Sequence, residues 1–454
     1  MTSHQHPDPA RRRASQDGQP TRRLAVAGLA LSVCGVGAAA LAKKLDGAEA
    51  PPAGGGSAPA PAKPAAAPPQ PKRYDYEVLE VGPGKKFKSL TQAGAFMNSE
   101  ARWNNGYAGA DKISRMAFRV VISPGPDGYY VNDTGSRSRR RGETNGWPPF
   151  DGNLLGPVLI EGEPGKPAPL LETDGYGDGA IYYGKGLFMT GNFDATFRHL
   201  AFRGFRRRDG QGNFAAIRLG DTFLEGTPNT GSILIEDCEF TGCDNGVMGG
   251  TPGQRVAIRD SYFHRNGNQT GLAHNIYILQ VDDLTVDGLL STEVTMGHLL
   301  KSRAARTTVR NSRLLGGNGS ESACLDVPNG GALTMSGVVC EKSVDSDAEW
   351  LIHYAGENQD DHGMPFHRNS SVDIRNAVLL APPALVRHPT TQVVGFANQS
   401  GDGARASGAG SRLVTPQAQN VEVYNLDRRT AGLPCRVLTQ RPPVDRRPPI
   451  AVMT

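Results

Sequence analysis

Thr307-Thr-Val-Arg-Asn-Ser312 is a short strand pattern in which apolar and polar residues alternate before a polar turn. Six further segments share the pattern, and the apolar residue before the turn recurs at intervals of 23 to 39 residues. In the seven segments this residue is Phe197, Ile235, Ile258, Val286, Val309, Met335 and Ile374. A recurrence of about 20 to 30 residues with insertions is typical of a solenoid. Because every unit is β-type, we expect a parallel β-helix whose coils bury their inward side chains on one another.

A second set of strand patterns lies between the first, and its outward position carries polar residues on all but one of six consecutive coils. This position holds Arg218, Met248, Tyr277, Lys301, Asp326 and His353. Adjacent strands of a sheet lie about 4.8 Å apart, so we expect Tyr277, Lys301 and Asp326 to stack within about 10 Å. His274 and His298 should form a parallel pair beside them.

The start of the chain is predicted to lie outside the fold. Residues 1–23 form a basic, cytoplasmic N-terminus, and residues 24–42 are a 19-residue run without charge. This run is either a cleaved signal peptide or a membrane anchor. Residues 43–73 form a linker rich in Pro and Ala. Both outcomes predict an exported protein, either periplasmic, anchored in the inner membrane or secreted, and an uncleaved segment would bind it to the membrane.

The folded region is predicted to be one solenoid domain over residues 74–397, followed by a loop-rich region and tail over 398–454. A strand near Val78 leads to a short amphipathic helix with Ser89 as its N-cap. We expect this helix to cover the first coil, where strand edges would otherwise be exposed.

Charge and cysteine content limit the possible functions. The whole chain has a net charge of +4, but residues 73–454 carry 40 basic and 41 acidic residues. This balance disfavours nucleic acid as a partner. The six cysteines have no Cys-x-x-Cys spacing, which disfavours structural zinc. Cys238 with Cys243 and Cys324 with Cys340 are possible pairs, and buried free thiols are the alternative.

Three motifs resemble the pectate-lyase-like superfamily of right-handed parallel β-helix proteins. They are VGPGKKFKSLTQA from Val81, VVISPG from Val120 and VLIEGEPG from Val158, and the resemblance extends over about residues 76 to 395. It implies an all-β, single-stranded right-handed parallel β-helix with a short N-terminal capping helix. The strings around His274, Gly297 and Leu325 resemble a bacterial envelope branch of that superfamily, which is associated with polysaccharides but implies no role for a particular residue.

The column chemistry suits an acidic, uronate-containing polysaccharide cleaved by β-elimination or changed by C5-epimerisation. Both reactions need a base for the proton next to a carboxylate and a cation that stabilises the enolate-like intermediate. The catalytic candidates are His274, Tyr277, His298, Lys301, Arg303 and Asp326. The substrate-binding candidates are Asn275, Arg306, Asn329 and His353. Lys301 beside Asp326 should stay protonated and neutralise the substrate, leaving a histidine or Tyr277 to move the proton.

Several alternatives remain open. A glycoside hydrolase needs two carboxylates, and Asp326 has no evident carboxylate partner. A non-catalytic polysaccharide-binding or structural solenoid is another alternative. His274 and His298 would then bond to backbone at turns, and Lys301 with Asp326 would be a structural ion pair. No cofactor is required by the pattern, although calcium at the acidic segment Glu357–His362 is a further hypothesis.

Overall fold

The computed structural model describes residues 74–106, 116–125, 129–130, 155–172, 186–207, 210, 212–220, 230–346, 348, 350–355, 364, 366–367, 369–382, 392–396, 417–426 and 434–451. The predicted N-terminal segments 1–23 and 24–42, the linker 43–73 and the segment Glu357–His362 lie outside this set. In the part of the chain that is described, no helix is both long and apolar enough to cross a membrane.

The described chain is mostly β-structure with one helix. The first elements are β1 (Tyr76–Val81), α1 (Leu90–Gly106), β2 (Met116–Ile122), β3 (Tyr129–Tyr130), β4 (Leu155–Gly162), β5 (Leu170–Glu172), β6 (Gly186–Met189), β7 (Ala195–Arg203), β8 (Ala215–Leu219), β9 (Ser232–Thr241), β10 (Asn245–Gly249), β11 (Arg255–Arg259) and β12 (Tyr262–His264). The remaining strands are β13 (Ile276–Ile278), β14 (Asp283–Asp287), β15 (Leu290–Thr292), β16 (His298–Ser302), β17 (Arg306–Arg310), β18 (Arg313–Leu315), β19 (Ala323–Val327), β20 (Ala332–Ser336), β21 (Val339–Glu341), β22 (Trp350–Tyr354), β23 (Ser371–Leu380), β24 (Gln392–Phe396), β25 (Gln417–Tyr424) and β26 (Arg436–Val437).

The strands form a parallel β solenoid with three walls. The first wall contains β11, β14, β17 and β20, and the second contains β12, β15, β18 and β21. The long strands β7, β9 and β23 run through both walls and join them into one sheet. The third wall is a separate sheet of β6, β8, β10, β13, β16, β19, β22 and β24. Each central coil thus contributes one strand to each wall, as β11, β12 and β13 do.

The predicted inward column of the first wall is confirmed residue by residue. Phe197 pairs with Ile235, and the register continues unbroken to Ile374. It also extends back through Ile160 and Val120 to Leu79. All of these side chains are buried. Such stacking removes apolar surface from water at every coil, which favours folding by about 25 cal/mol for each Å² buried.

Corners between the first and second walls are formed by residues with positive φ. From β7 to β25 they are His199, Asp237, Asp260, Gly288, Asn311, Gly337, Asn376 and Asn420. Asp, Asn and Gly tolerate this left-handed conformation better than other residues. Asn311 and Asn376 are therefore turn residues at two of these corners.

The N-terminal helix is also present. Ser89 Oγ accepts the N–H of Gln92 at 3.2 Å, which is the contact expected of an N-cap. Leu90, Ala93 and Met97 are buried in the same core as β1 and β2. The helix therefore packs its apolar side against the first coils.

The cysteines are all free among the described residues. Cys238, Cys243, Cys324 and Cys340 are buried, and Cys435 is exposed. Burial raises the pKa of Cys238, Cys243 and Cys340 to about 12. The alternative that the core cysteines are buried free thiols is therefore confirmed for these four residues.

The sheet continues beyond the predicted boundary at residue 397. Strand β25 pairs with β23, and β26 pairs with β25. The chain then returns along the second wall, where Glu341 accepts hydrogen bonds from Arg441 at 2.5 Å and Arg446 at 2.7 Å. Asp445 pairs with Arg313 at 3.3 Å. The C-terminal tail, defined here as residues 434–451, therefore contacts β18, β21 and β25.

We expect Glu341→Gln to loosen the tail, because the variant removes the charge that binds both arginines. Hydrogen bonds to charged groups contribute about 1.5–3 kcal/mol, so transient release of the tail should become about tenfold more frequent. Limited trypsin digestion followed by mass spectrometry measures cleavage after Arg446, because Arg441 precedes Pro442 and is not a trypsin site. Glu236→Gln, which affects an ion pair with Arg198 on another wall, is the control. Equal cleavage rates in the two variants would contradict this role of Glu341.

Candidate functional site

The predicted polar column exists on the third wall. Strand pairing places Arg218 beside Met248, Met248 beside Tyr277, and Tyr277 beside Lys301. It then places Lys301 beside Asp326 and Asp326 beside His353. The spacing read from the sequence therefore gave the correct register over six consecutive coils.

Asp326 is the centre of a charged network. Its carboxylate Oδ2 lies 3.0 Å from Lys301 Nζ and 3.6 Å from His298 Nε2, and its Oδ1 lies 2.9 Å from His353 Nδ1. Asp326 is only 1% exposed and Lys301 only 7%. Burial by itself raises the pKa of Asp326, but Lys301, His298 and the contact with His353 outweigh it and hold that pKa well below its ordinary value. Asp326 is therefore an anion that holds cationic or polar groups from both neighbouring coils.

His274 and His298 form the predicted pair. His298 donates its backbone N–H to His274 Nδ1 at 3.0 Å, and the two Nδ1 atoms are 3.2 Å apart. Burial, followed by the charges of His298 and Lys301, lowers the pKa of His274 well below its ordinary value. His274 thus makes the backbone hydrogen bond that a purely structural role predicts. Its ring also contacts the ring of His298 and so belongs to the charged network.

Tyr277 is held on its other side by Arg303. Arg303 is 1% exposed and donates from Nε to the Tyr277 hydroxyl at 2.8 Å and from Nη1 to Asn329 Oδ1 at 2.5 Å. The Lys301 ammonium lies 5.4 Å from the centre of the Tyr277 ring. Asn329 also donates to the carbonyl of Met364 at 2.9 Å. Arg303 therefore orients Tyr277, and Asn329 attaches the backbone of Met364 to this wall.

Two of the predicted substrate-binding residues do not face this site. Asn275 is fully buried and donates to Ser291 Oγ and the Thr292 carbonyl inside the solenoid, so it is an interior residue. Arg306 is exposed on β17 of the first wall, where it pairs with Asp283. The chain turns between Arg303 and Arg306 to begin the next coil, which carries Arg306 away from the third wall.

His353 was predicted to bind substrate, and its geometry supports a further role. Its Nδ1 bonds to Asp326, which leaves Nε2 as the unprotonated nitrogen of the neutral ring. Within the described chain, nothing forms a hydrogen bond with that Nε2. Trp350, which the sequence reasoning did not select, stacks on the imidazole with 4.7 Å between ring centres. Trp350 lies three residues before His353, as His274 lies three residues before Tyr277. This shared spacing is the signal that would have identified Trp350.

The described residues include no group of three or more His, Cys, Asp or Glu placed to hold a metal ion. The segment proposed for calcium, Glu357–His362, lies outside them.

Comparison of the chain with protein-family models, with curated proteins and with solved structures finds no match. The resemblance in the coil motifs thus stays a prediction.

We expect folding stability to fall as the pH drops below about 6.5, the ordinary value for histidine, because buried His274 must then gain a proton on unfolding. Because folding lowers the pKa of His274, the contribution of its neutral ring to the free energy of unfolding is complete above about pH 6.5. That contribution is lost as the pH falls towards the pKa of folded His274. One such group adds a slope of up to about 1.4 kcal/mol per pH unit.

Urea unfolding of the parent and His274→Gln at pH 7, 6 and 5 measures this slope. The variant should show a weaker pH dependence than the parent, whatever its absolute stability. His199→Gln, which removes a part-exposed histidine on another coil, is the matched control. Identical slopes in the parent and His274→Gln would show that His274 does not titrate on unfolding.

Proposed function

We propose that this chain is a carbohydrate-active solenoid protein of the cell envelope. It acts on an acidic, uronate-containing polysaccharide by moving the proton next to the carboxylate, either in β-elimination or in C5-epimerisation. The observation that supports this most directly is the Asp326–His353 pair, flanked by Lys301, His298 and Tyr277 on one wall. Stacked coils provide a long wall, which suits an extended polymer.

His353 is the proposed base. Asp326 accepts a hydrogen bond from Nδ1–H, which fixes the tautomer and stabilises the imidazolium that forms when Nε2 takes a proton. In β-elimination this proton comes from the carbon next to the uronate carboxylate. The released electron pair forms the carbon–carbon double bond, and the linked sugar departs with its oxygen. In epimerisation the same carbon regains a proton on the opposite face.

Positive charge beside the base comes from Lys301 and, when it is protonated, from His298. A nearby cation stabilises the enolate-like intermediate, which carries extra negative charge on the substrate carboxylate. The contact with the Asp326 anion favours the charged, ammonium form of Lys301. Protonated His298, whose Nε2 lies 3.6 Å from the same carboxylate, is the proposed acid for the departing oxygen. Tyr277 lies three coils before His353, too far to reach an oxygen on the adjacent carbon.

Hydrolysis is less well supported. It requires two carboxylates on either side of the bond, and within the described part of the chain Asp326 is the one carboxylate in this network. Asp283 pairs with Arg306 on the first wall. Asp244 accepts hydrogen bonds from Asn268 and from the Phe214 backbone. Neither the Asp283 nor the Asp244 carboxylate therefore serves as a partner of Asp326.

A non-catalytic polysaccharide-binding protein is the second candidate, and the burial of the network favours it. Asp326, Lys301 and His274 are almost wholly covered, so a ligand reaches chiefly the part-exposed rings of His298 and His353. A buried ion pair of this kind also occurs as a structural element.

We also propose that the solenoid winds in the right-handed sense. Connections between parallel strands of one sheet have that hand in nearly all known cases, and the coil motifs resemble right-handed β-helix proteins. Export through residues 24–42 is part of the same proposal, because it would bring the site to an envelope polymer.

The catalytic proposal is tested with the full chain and a panel of uronate polymers in deuterated water. We expect deuterium at the carbon next to the carboxylate if the reaction is epimerisation, and unsaturated chain ends if it is elimination. His353→Gln should lower the rate by about 100-fold or more, because a positioned base contributes about 10²–10⁴. His199→Gln should retain the parent rate. Absence of both signals across the panel would remove the catalytic claim for those polymers.

The binding alternative predicts a different outcome. The parent would bind a uronate polymer without deuterium exchange or cleavage, and binding would persist in the double variant Lys301→Ala with His298→Ala. Calorimetric titration of both proteins with the same polymer measures this.

A further inference from the structure

Lys342 is a buried lysine outside the site, at the point where two neighbouring strands of the third wall begin. It is 1% exposed, and its ammonium donates to the carbonyl of Trp350 at 2.5 Å and to that of Ser322 at 3.4 Å. Trp350 is the first residue of β22, and Ser322 directly precedes β19. These are the strands that carry His353 and Asp326, so one side chain joins the beginnings of both.

The surrounding loop is connected to the same place by its own hydrogen bonds. Ser343 donates its backbone N–H to Glu321 Oε1 at 2.7 Å, and Ser346 donates from Oγ to the Glu321 carbonyl at 2.6 Å. Glu321 is fully buried. Residues 342–346 are therefore bound to the residue just before Ser322, and this limits how far β19 and the Lys342 loop can move apart.

An ammonium is a costly group to bury, since it loses its hydration on leaving water. An apolar side chain of similar length would fill the same volume without that cost. What the ammonium adds is directed hydrogen bonding, because its three N–H groups can reach carbonyls of two different strands. The placement of Lys342 thus fits a role in fixing the separation and register of β19 and β22.

The link continues from β22 to the site. The Trp350 ring stacks on His353 with 4.7 Å between centres and 25° between planes. His353 Nδ1 in turn contacts Asp326 Oδ1 at 2.9 Å. A shift of the Trp350 backbone would therefore change both the stacking and the distance between imidazole and carboxylate.

We propose that Lys342 is a positioning residue for the Asp326–His353 pair. By holding the Trp350 and Ser322 carbonyls it sets the Trp350 ring against His353 and keeps the imidazole in contact with Asp326. The functional meaning of this pair rests on the proposed function, but the positioning itself does not depend on turnover.

The test is the ring-current effect of Trp350 on the His353 ring protons, observed by nuclear magnetic resonance in the full chain. The His353 signals are assigned by their loss in His353→Gln. Trp350→Leu defines the shifts without the stacked ring. In Lys342→Met we expect the His353 signals to move at least half of the way towards the Trp350→Leu values. Lys166→Met, which removes an exposed lysine elsewhere, should leave them unchanged.

Unchanged His353 signals in folded Lys342→Met would overturn the proposal, even if the variant is less stable. If Lys342→Met does not fold, Lys342→Gln supplies the test, because its amide can still donate to a carbonyl. In Lys342→Gln the His353 signals should move in the same direction by a smaller amount, because the shorter, uncharged side chain only partly replaces the ammonium. Unchanged His353 signals in this variant would also overturn the proposal. For a parent that turns over polymer, Lys342→Met should lower kcat with little change in KM. Displaced signals without turnover by the parent would leave the positioning role intact and count against the catalytic function alone.

Discussion

Vertical register between coils is the constraint on which the rest of this structure depends. Each strand pairs in parallel with strands that lie a few tens of residues before and after it in the chain. Inward side chains consequently stack on similar side chains, as in the run from Phe202 through Phe240 to Phe263, whose ring centres are 4.7 and 4.3 Å apart. A one-residue slip would turn such side chains outward and polar ones into the core. The same register brings Lys301, Asp326 and His353 into contact.

Much of this could be predicted because the repeat is carried by local alternation. The columns through Ile258 and through Tyr277 were identified without any long-range information, since an alternating strand specifies which side chain points inward. Where alternation fails, the prediction was wrong. Asn275 precedes a three-residue strand at a bend, and its side chain enters the interior to bond with Asn266 and Ser291. Proximity in sequence to Arg303 placed Arg306 in the site, although a corner separates them.

Other parts of the site could not be predicted, because they come from contacts between segments with no common pattern. The Met364 carbonyl accepts a hydrogen bond from Asn329, and His367 Nε2 donates to the Arg303 carbonyl, 64 residues away in the chain. Lys342 lies in a connection between walls, where the sequence has neither period nor motif. Such connections vary between coils, so their partners become visible only in three dimensions. The charges of the network illustrate the same limit: the sequence indicates that Lys301 and Asp326 are neighbours, whereas the depth of their burial follows from everything packed around them.

The C-terminal tail has a consequence for cooperativity. In a solenoid each coil contacts chiefly its two neighbours, so stability is approximately a sum of nearest-neighbour terms and terminal coils can open independently. The tail adds a connection of longer range, because Arg313, Glu341 and Val423 belong to different coils and all bind one short segment. Opening of the last coil therefore also disturbs contacts on coils nearer the middle. Unfolding from the C-terminal end becomes a concerted event over several coils instead of a gradual loss of one coil at a time.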